Sequence, residues 1–321
     1  MDKAKARISL ISKLNYFRLF FRSILFATVA VLYVISRIKW PDATLTLGTM
    51  GGSTQRFLLL NNVYVHYSVL GTITVYYFIE MVDRFFPTKT ASMGSQKQFK
   101  RNYVPTGEEK PHLQPWYRTA LVFISWVLLN GIFALVYILC KTDVIPIRIF
   151  DEGIMMIIAL AYGICDMICI LFFCPFQTWM MRNRCCGSCR IYNWDFMMIA
   201  TPLIVVTFLP FTKDMSIFAI IFVACATILL LRWEITFRIH PRRFAINTNE
   251  SLHCVNCKEK LCVHKKQLQT LLRKSGSWML KTLKETKTKD DIYRKDQALG
   301  GRKELKHPND NLPPEHHQHS A

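Results

Sequence analysis

Apolar residues gather into six runs along the chain, and the polar residues between the runs are mostly cationic. A hydrocarbon core about 30 Å thick is crossed by about 20 mostly apolar residues in a helix. Each run is therefore read as a membrane span. Residues 19–35 form the first, interrupted only by Arg22, whose long side chain is expected to snorkel to the interface. Residues 57–79 carry Asn61, Asn62 and His66 within the second. Residues 120–140 and 153–173 are the most uniformly apolar. Residues 196–211 and 217–231 are split by Lys213 and Asp214 and read as a tight helical hairpin near Pro210. The pattern predicts an all-α, multi-pass helical membrane protein of six transmembrane helices.

Helical periodicity also marks Ile8, Ile11, Leu14, Phe17 and Phe21, with cations between them, as an interfacial lead-in. The chain thus divides into a basic amphipathic segment at 1–18 and a six-span domain at 19–235 with loops at 82–118 and 175–195. A cysteine-rich segment at 236–264 and a basic, partly disordered tail at 265–321 follow. Residues 88–115, polar and holding three prolines, read as a flexible connection. Within the tail, Leu268, Leu271, Leu272, Met279 and Leu283 approximate one face of a basic helix suited to an anionic leaflet or a partner.

Of the 321 residues 51% are hydrophobic, yet Lys and Arg outnumber Asp and Glu 41 to 22, giving a net charge of +19. Disorder throughout, collagen and a small disulfide-stapled fold are excluded. Lys and Arg are retained on the cytoplasmic side of membrane proteins. They crowd the N-terminal segment, the loops at 82–118 and 175–195, and the tail, and they are sparse in the alternate loops. Both termini are therefore expected in the cytoplasm, in a cell-membrane protein. Arg37–Pro41 offers no small-residue cleavage site, so the first span is expected to stay. The charge needs no nucleic-acid partner, because membrane surface and topology account for it and no aromatic–basic pattern accompanies it.

Cysteine sharpens the picture. Four of the 11, Cys140, Cys165, Cys169 and Cys225, fall in or at the ends of spans, where Cys packs as a small apolar residue. The other seven cluster: Cys174 at the end of the fourth span, Cys185, Cys186 and Cys189 in the next loop, and Cys254, Cys257 and Cys262 after the sixth span. Two residues between cysteines let a short turn aim both thiolates at one ion, and Gly187 eases that turn. The hairpin of the last two spans returns both motifs to one side. On a cytoplasmic face thiols stay reduced, and clustered cysteines read as a metal site rather than disulfides. Flanking Arg184, Arg190, Lys258 and Lys260 are expected to favour thiolate. Juxtamembrane palmitoylation accounts for single cysteines but not for paired spacings in two segments.

Cys186, Cys189, Cys254 and Cys257 would close a tetrahedral zinc site and leave Cys185, Cys262 and His264 spare. An iron–sulfur cluster uses more of the thiols, with Cys174 and His264 as additional ligands, although the bacterial ferredoxin run is absent and the plant-type spacing appears only reversed. The surplus tips the reading to iron–sulfur, serving electron transfer to a quinone or redox partner protein beside the bilayer. Zinc holding together a transporter or scaffold is the alternative. Asp166 and His66 are the intramembrane polar candidates. Asn62 and His66 share a helix face, which fits interhelical hydrogen bonding at least as well. Asn249-Glu250-Ser251 matches a glycosylation sequon but falls on the cytoplasmic side.

Overall fold

In a computed structural model the described residues are 10–39, 63–88, 92–142, 144, 150–183, 185, 187–208, 217–253 and 256. They are helical, with no strand among them and a single bridge between Pro105 and Asn249. The helices are α1 (Leu10–Lys39), α2 (Val63–Phe85), α3 (Met93–Gln96), α4 (Trp116–Lys141), α5 (Glu152–Leu171), α6 (Asp195–Phe208) and α7 (Ile217–Ile239). Among the described residues four stretches are long and apolar enough to cross a membrane: Lys13–Lys39, Trp116–Lys141, Glu152–Leu171 and Ile217–Ile239. α2 is 23 residues long, but tyrosines, His66, Ser68 and two threonines dilute its apolar run. The described part of α6 is 14 residues, too short to cross unaided.

Local chemistry explains several boundaries. Asp151 caps α5, its side chain accepting a hydrogen bond from the Ile154 amide at 3.1 Å, and Glu152 places a second acid at the positive end of the helix dipole. Pro115 precedes α4, where a missing N–H costs nothing. After α5 the chain makes a single π-turn at Phe176–Met180. Arg182 then takes a left-handed φ of 47°, which turns the backbone into the first cysteine loop.

α5 and α6 pack against each other and anchor the bundle, with α1 on α5, α7 on α6, α2 on α7 and α4 on α6. Its centre is apolar: Val29, Tyr77, Met81, Tyr137, Met155, Ala200 and Ala226 are almost completely enclosed. The outside is apolar as well. Along α4, Leu121, Ile124, Leu128, Ile132 and Leu135 are 49–63% exposed at helical spacing. Such a stripe is costly in water and ordinary in hydrocarbon.

Residues 92–115 differ from the flexible loop that their composition predicts. Ser92, Ser95, Gln96, Lys97 and Gln98 are all buried, and the chain after α7 is zipped onto this segment. The Glu250 amide donates to Val104 O (2.8 Å), Arg243 donates to Gln98 O (3.1 Å), and Asn247 accepts from the His112 amide (2.9 Å) and donates to Lys110 O (2.8 Å). The segment meets this chain with its backbone groups, which Arg243 and Asn247 bond with their side chains. Asn249 is fully buried and donates to Arg243 O at 2.8 Å, so the sequon asparagine is enclosed.

Candidate functional site

The first cysteine loop leaves the π-turn, passes Cys185, Gly187 and Cys189, and enters α6 through a 3-10 turn at Tyr192–Trp194. Ser188 Oγ bonds Cys185 O at 3.1 Å and Asn183 Oδ1 at 3.2 Å, closing the turn between the cysteines. Cys189 is buried and Cys185 half-buried. Half-buried Cys174 accepts a hydrogen bond at Sγ from the Gln177 amide, at 3.3 Å, in the π-turn.

Beneath this loop lies Lys97. It is only 1% exposed, and its Nζ donates to Cys189 O at 2.7 Å and Gly187 O at 3.2 Å. The same ammonium lies 5.1 Å from the Trp233 ring centre and 5.5 Å from that of Phe244. No carboxylate pairs with it among the described residues, and the anionic groups that reach it electrostatically are the thiols of Cys189 and Cys185. Burial, with Arg190 nearby, brings Lys97 down from 10.5 to about 7, against the opposing pull of the two sulfurs.

One cationic residue thus holds two segments. The loop carrying Cys185 and Cys189 hangs from its Nζ, and the chain that leads to Cys254 packs beside it through Phe244 and, as far as Glu250, through the bonds to 98–112. Arg190, expected to favour thiolate, instead forms a two-pronged ion pair with Glu234, while its guanidinium lies 3.7 Å from the Phe237 ring centre. The Trp194 indole also donates to Glu234, at 2.8 Å, and the Trp233 indole donates to Arg190 O at 3.0 Å. The cation that bonds this loop comes from 92 positions before Cys189.

Cys186, Cys254, Cys257, Cys262 and His264 lie outside the described residues. Among the described residues no three His, Cys, Asp or Glu side chains are grouped to hold an ion, so Cys174, Cys185 and Cys189 do not make a site by themselves. His66 belongs to α2, and its side chain is outside the described set.

Asp166 is placed within a chain of alternating charges. Asp83 pairs with Arg18 (3.1 Å), Arg18 with Glu80 (3.3 Å), Glu80 with Arg22 (2.5 Å), and Arg22 with Asp166 (3.1 Å). Arg22 also donates to Gly163 O at 2.6 Å, and Tyr76 donates to Glu80 at 2.6 Å. Arg22 therefore does not snorkel: its side chain is 2% exposed and joins α1, α2 and α5. A second buried pair stands nearby, Arg84 bonding Asp195 and Asn193 at 2.7 Å each. Sequence reading missed Glu80, Arg84 and Asp195 because each sits at the edge of an apolar run, where a charge looks like the start of a loop.

Two cavities flank this layer. One of about 780 Å³ is walled by Trp116, Phe123, Trp194 and Phe237 over the Arg190–Glu234 pair. The other, about 310 Å³, lies between α4, α5, the π-turn and α6 and reaches Asp166, Asp195, Cys174 and Cys189. The span cysteines Cys165 and Cys169, expected only to pack, line it as well. Compared with protein-family models, characterised proteins and solved structures, the chain matches none.

Proposed function

We propose that this is a six-span membrane protein with both termini in the cytoplasm and a thiolate-ligated metal centre at its cytoplasmic end. On this reading the centre is an iron–sulfur cluster that passes electrons between a soluble donor and a quinone or partner subunit in the bilayer. The observation that carries it is Lys97. A buried ammonium without a carboxylate is costly unless an anion lies close, and the groups positioned to supply one are Cys185 and Cys189. Four thiolates around a metal keep a net negative charge, which answers that need; neutral thiols leave it unmet. The basic loops at 82–118 and 175–195 support the sidedness. The bound cluster would supply one-electron chemistry, while the chain holds the ligands and excludes water.

Zinc is the second reading, favoured by how firmly the first loop is tied. Ser188, Lys97 and the Arg190–Glu234 pair fix it at both ends, as suits a closed structural site. Metal content, acid-labile sulfide and visible absorbance of the protein, purified in detergent without oxygen, decide between them. Iron with sulfide and a bleachable visible band supports the cluster, and zinc near one per chain supports the clip. Cys189→Ser and Cys257→Ser are expected to lose the metal in either case. Full metal content in both variants would overturn the site.

A further inference from the structure

The 310 Å³ cavity has walls of two kinds. On one side stand the rings of Trp126, Tyr162 and Phe176, with Trp126 centred 4.6 Å from Tyr162 and 6.1 Å from Phe176. Trp126 is fixed by its indole bond to Thr201 Oγ at 3.1 Å. Two carboxylates, Asp166 and Asp195, line the cavity as well. Asp195 is 7% exposed; Arg84 binds its Oδ2, while its Oδ1 has no hydrogen-bond partner. A buried carboxylate oxygen left without a donor is costly, and a site that retains one is built for a group that supplies the missing charge or proton.

The surrounding charges make the same demand. The alternating chain from Asp83 to Asp166 holds three carboxylates and two guanidiniums, so it carries one excess negative charge. Asp83, whose side chain is 32% exposed, is eased by solvent. The other end of the chain, Asp166, faces the cavity and is bound by Arg22 alone among the described residues.

We propose that the cavity binds a small organic ammonium, its charge against Asp166 and Asp195 and its hydrocarbon part against Trp126, Tyr162 and Phe176. Aromatic faces attract cations as well as apolar groups, so both walls recognise the same class of molecule. An anion is repelled by the carboxylates, and a lipid chain leaves Asp195 Oδ1 unanswered. The volume lies at the small end of ligand cavities, about 300–1,000 Å³, and suits a single-ring amine. Cys174 and Cys189, ligands on the proposed metal reading, also line this cavity, but the ammonium contacts neither thiol on this assignment, and its binding is read independently of metal content.

Equilibrium dialysis of the full chain in detergent, with 2-phenylethylammonium and the uncharged 2-phenylethanol, tests the assignment. The ammonium is expected to bind saturably, and at least about tenfold more tightly than the alcohol. Asp166→Asn, which leaves the Arg22–Glu80 pair in place, is expected to weaken the ammonium by a similar factor, and so is Trp126→Leu. Asp195→Asn is the more drastic variant because it also releases Arg84. Should the variants unfold, the comparison of the two ligands on the native protein decides alone. Equal affinity for both ligands, no saturable binding, or unchanged affinity in folded Asp166→Asn would overturn the proposal.

Discussion

If Lys97 neutralises a thiolate-bound metal, replacing it should weaken the metal by a calculable amount. Lys97→Met keeps an unbranched side chain out to the Cε position and removes the ammonium that lies over Trp233 and Phe244. Nζ lies 2.7 Å from Cys189 O, and the sulfur of that residue is the strongest anionic influence on it. At an effective dielectric of about 20, a unit charge about 5 Å from a thiolate is worth about 3 kcal/mol. Each tenfold in affinity is about 1.4 kcal/mol, so metal affinity should fall by about two orders of magnitude. The lost bonds to Gly187 O and Cys189 O burden the metal-free and metal-bound forms alike, and largely cancel in the difference. Competition against a chelator of known affinity, with the folded fraction monitored by circular dichroism, measures the change. A folded Lys97→Met protein that binds metal within about threefold of the original would refute the electrostatic role.

The metal-free protein should show the same lysine through pH. Its folded value of about 7 lies below the ordinary 10.5, so between those limits the unfolded chain holds a proton that the folded chain lacks. Stability should therefore rise with pH from 7 to 10.5, by up to about 1.4 kcal/mol per pH unit. Denaturation in detergent should show that slope in the native chain and not in Lys97→Met; equal slopes would count against it. Arg22→Ala leaves Glu80 and Asp166 enclosed without their shared partner, and should cost about 3–5 kcal/mol, read as a lower melting temperature or a smaller denaturant midpoint. In Gly163→Ala a Cβ would lie 2.2 Å from Tyr77 Oη, an overpacking worth about 1–3 kcal/mol. Tyr77→Phe removes that oxygen and leaves the nearest ring carbon at 3.3 Å, a tight contact that a small ring shift relieves, so in its background the alanine should cost clearly less. An unchanged penalty would show that the contact is not the cause.

The helices were legible because lipid demands long apolar runs, and the outward stripe of α4 from Leu121 to Leu135 is that demand written in side chains. The partners of the charges were not legible. Arg22 meets Asp166 across 144 positions and Lys97 meets Cys189 across 92, and no local pattern links such residues. Composition also misled at 92–115, where the Lys97 and Gln98 side chains that read as solvated are turned inward to bond the backbone of neighbouring segments. At the cysteine loop the spacing pointed to ligands, but the nearest cation in sequence, Arg190, is already matched by Glu234. Sequence proximity is a poor guide to which charge answers which.

The buried ions have a role that the apolar core cannot fill. Between lipid-bathed helices the hydrophobic effect gives little preference for one register over another, because lipid tails are as apolar as leucine. Arg22 does discriminate: its donors reach Gly163 O, Asp166 and Glu80 together, which requires α1, α2 and α5 to meet at one height. Sliding α1 by a turn strands at least two carboxylates. Arg84 repeats the device between α2 and the start of α6, bonding Asn193 and Asp195. These residues lie only four and six positions after Cys189, so the contacts that fix the register of α6 also fix where the first cysteine loop must end. A change in charge at that loop, such as loss of the Lys97 proton, therefore falls six positions from the Asp195 end of the Arg84–Asp195 pair. Asp195 in turn is the residue that carries the unpaired oxygen of the neighbouring cavity.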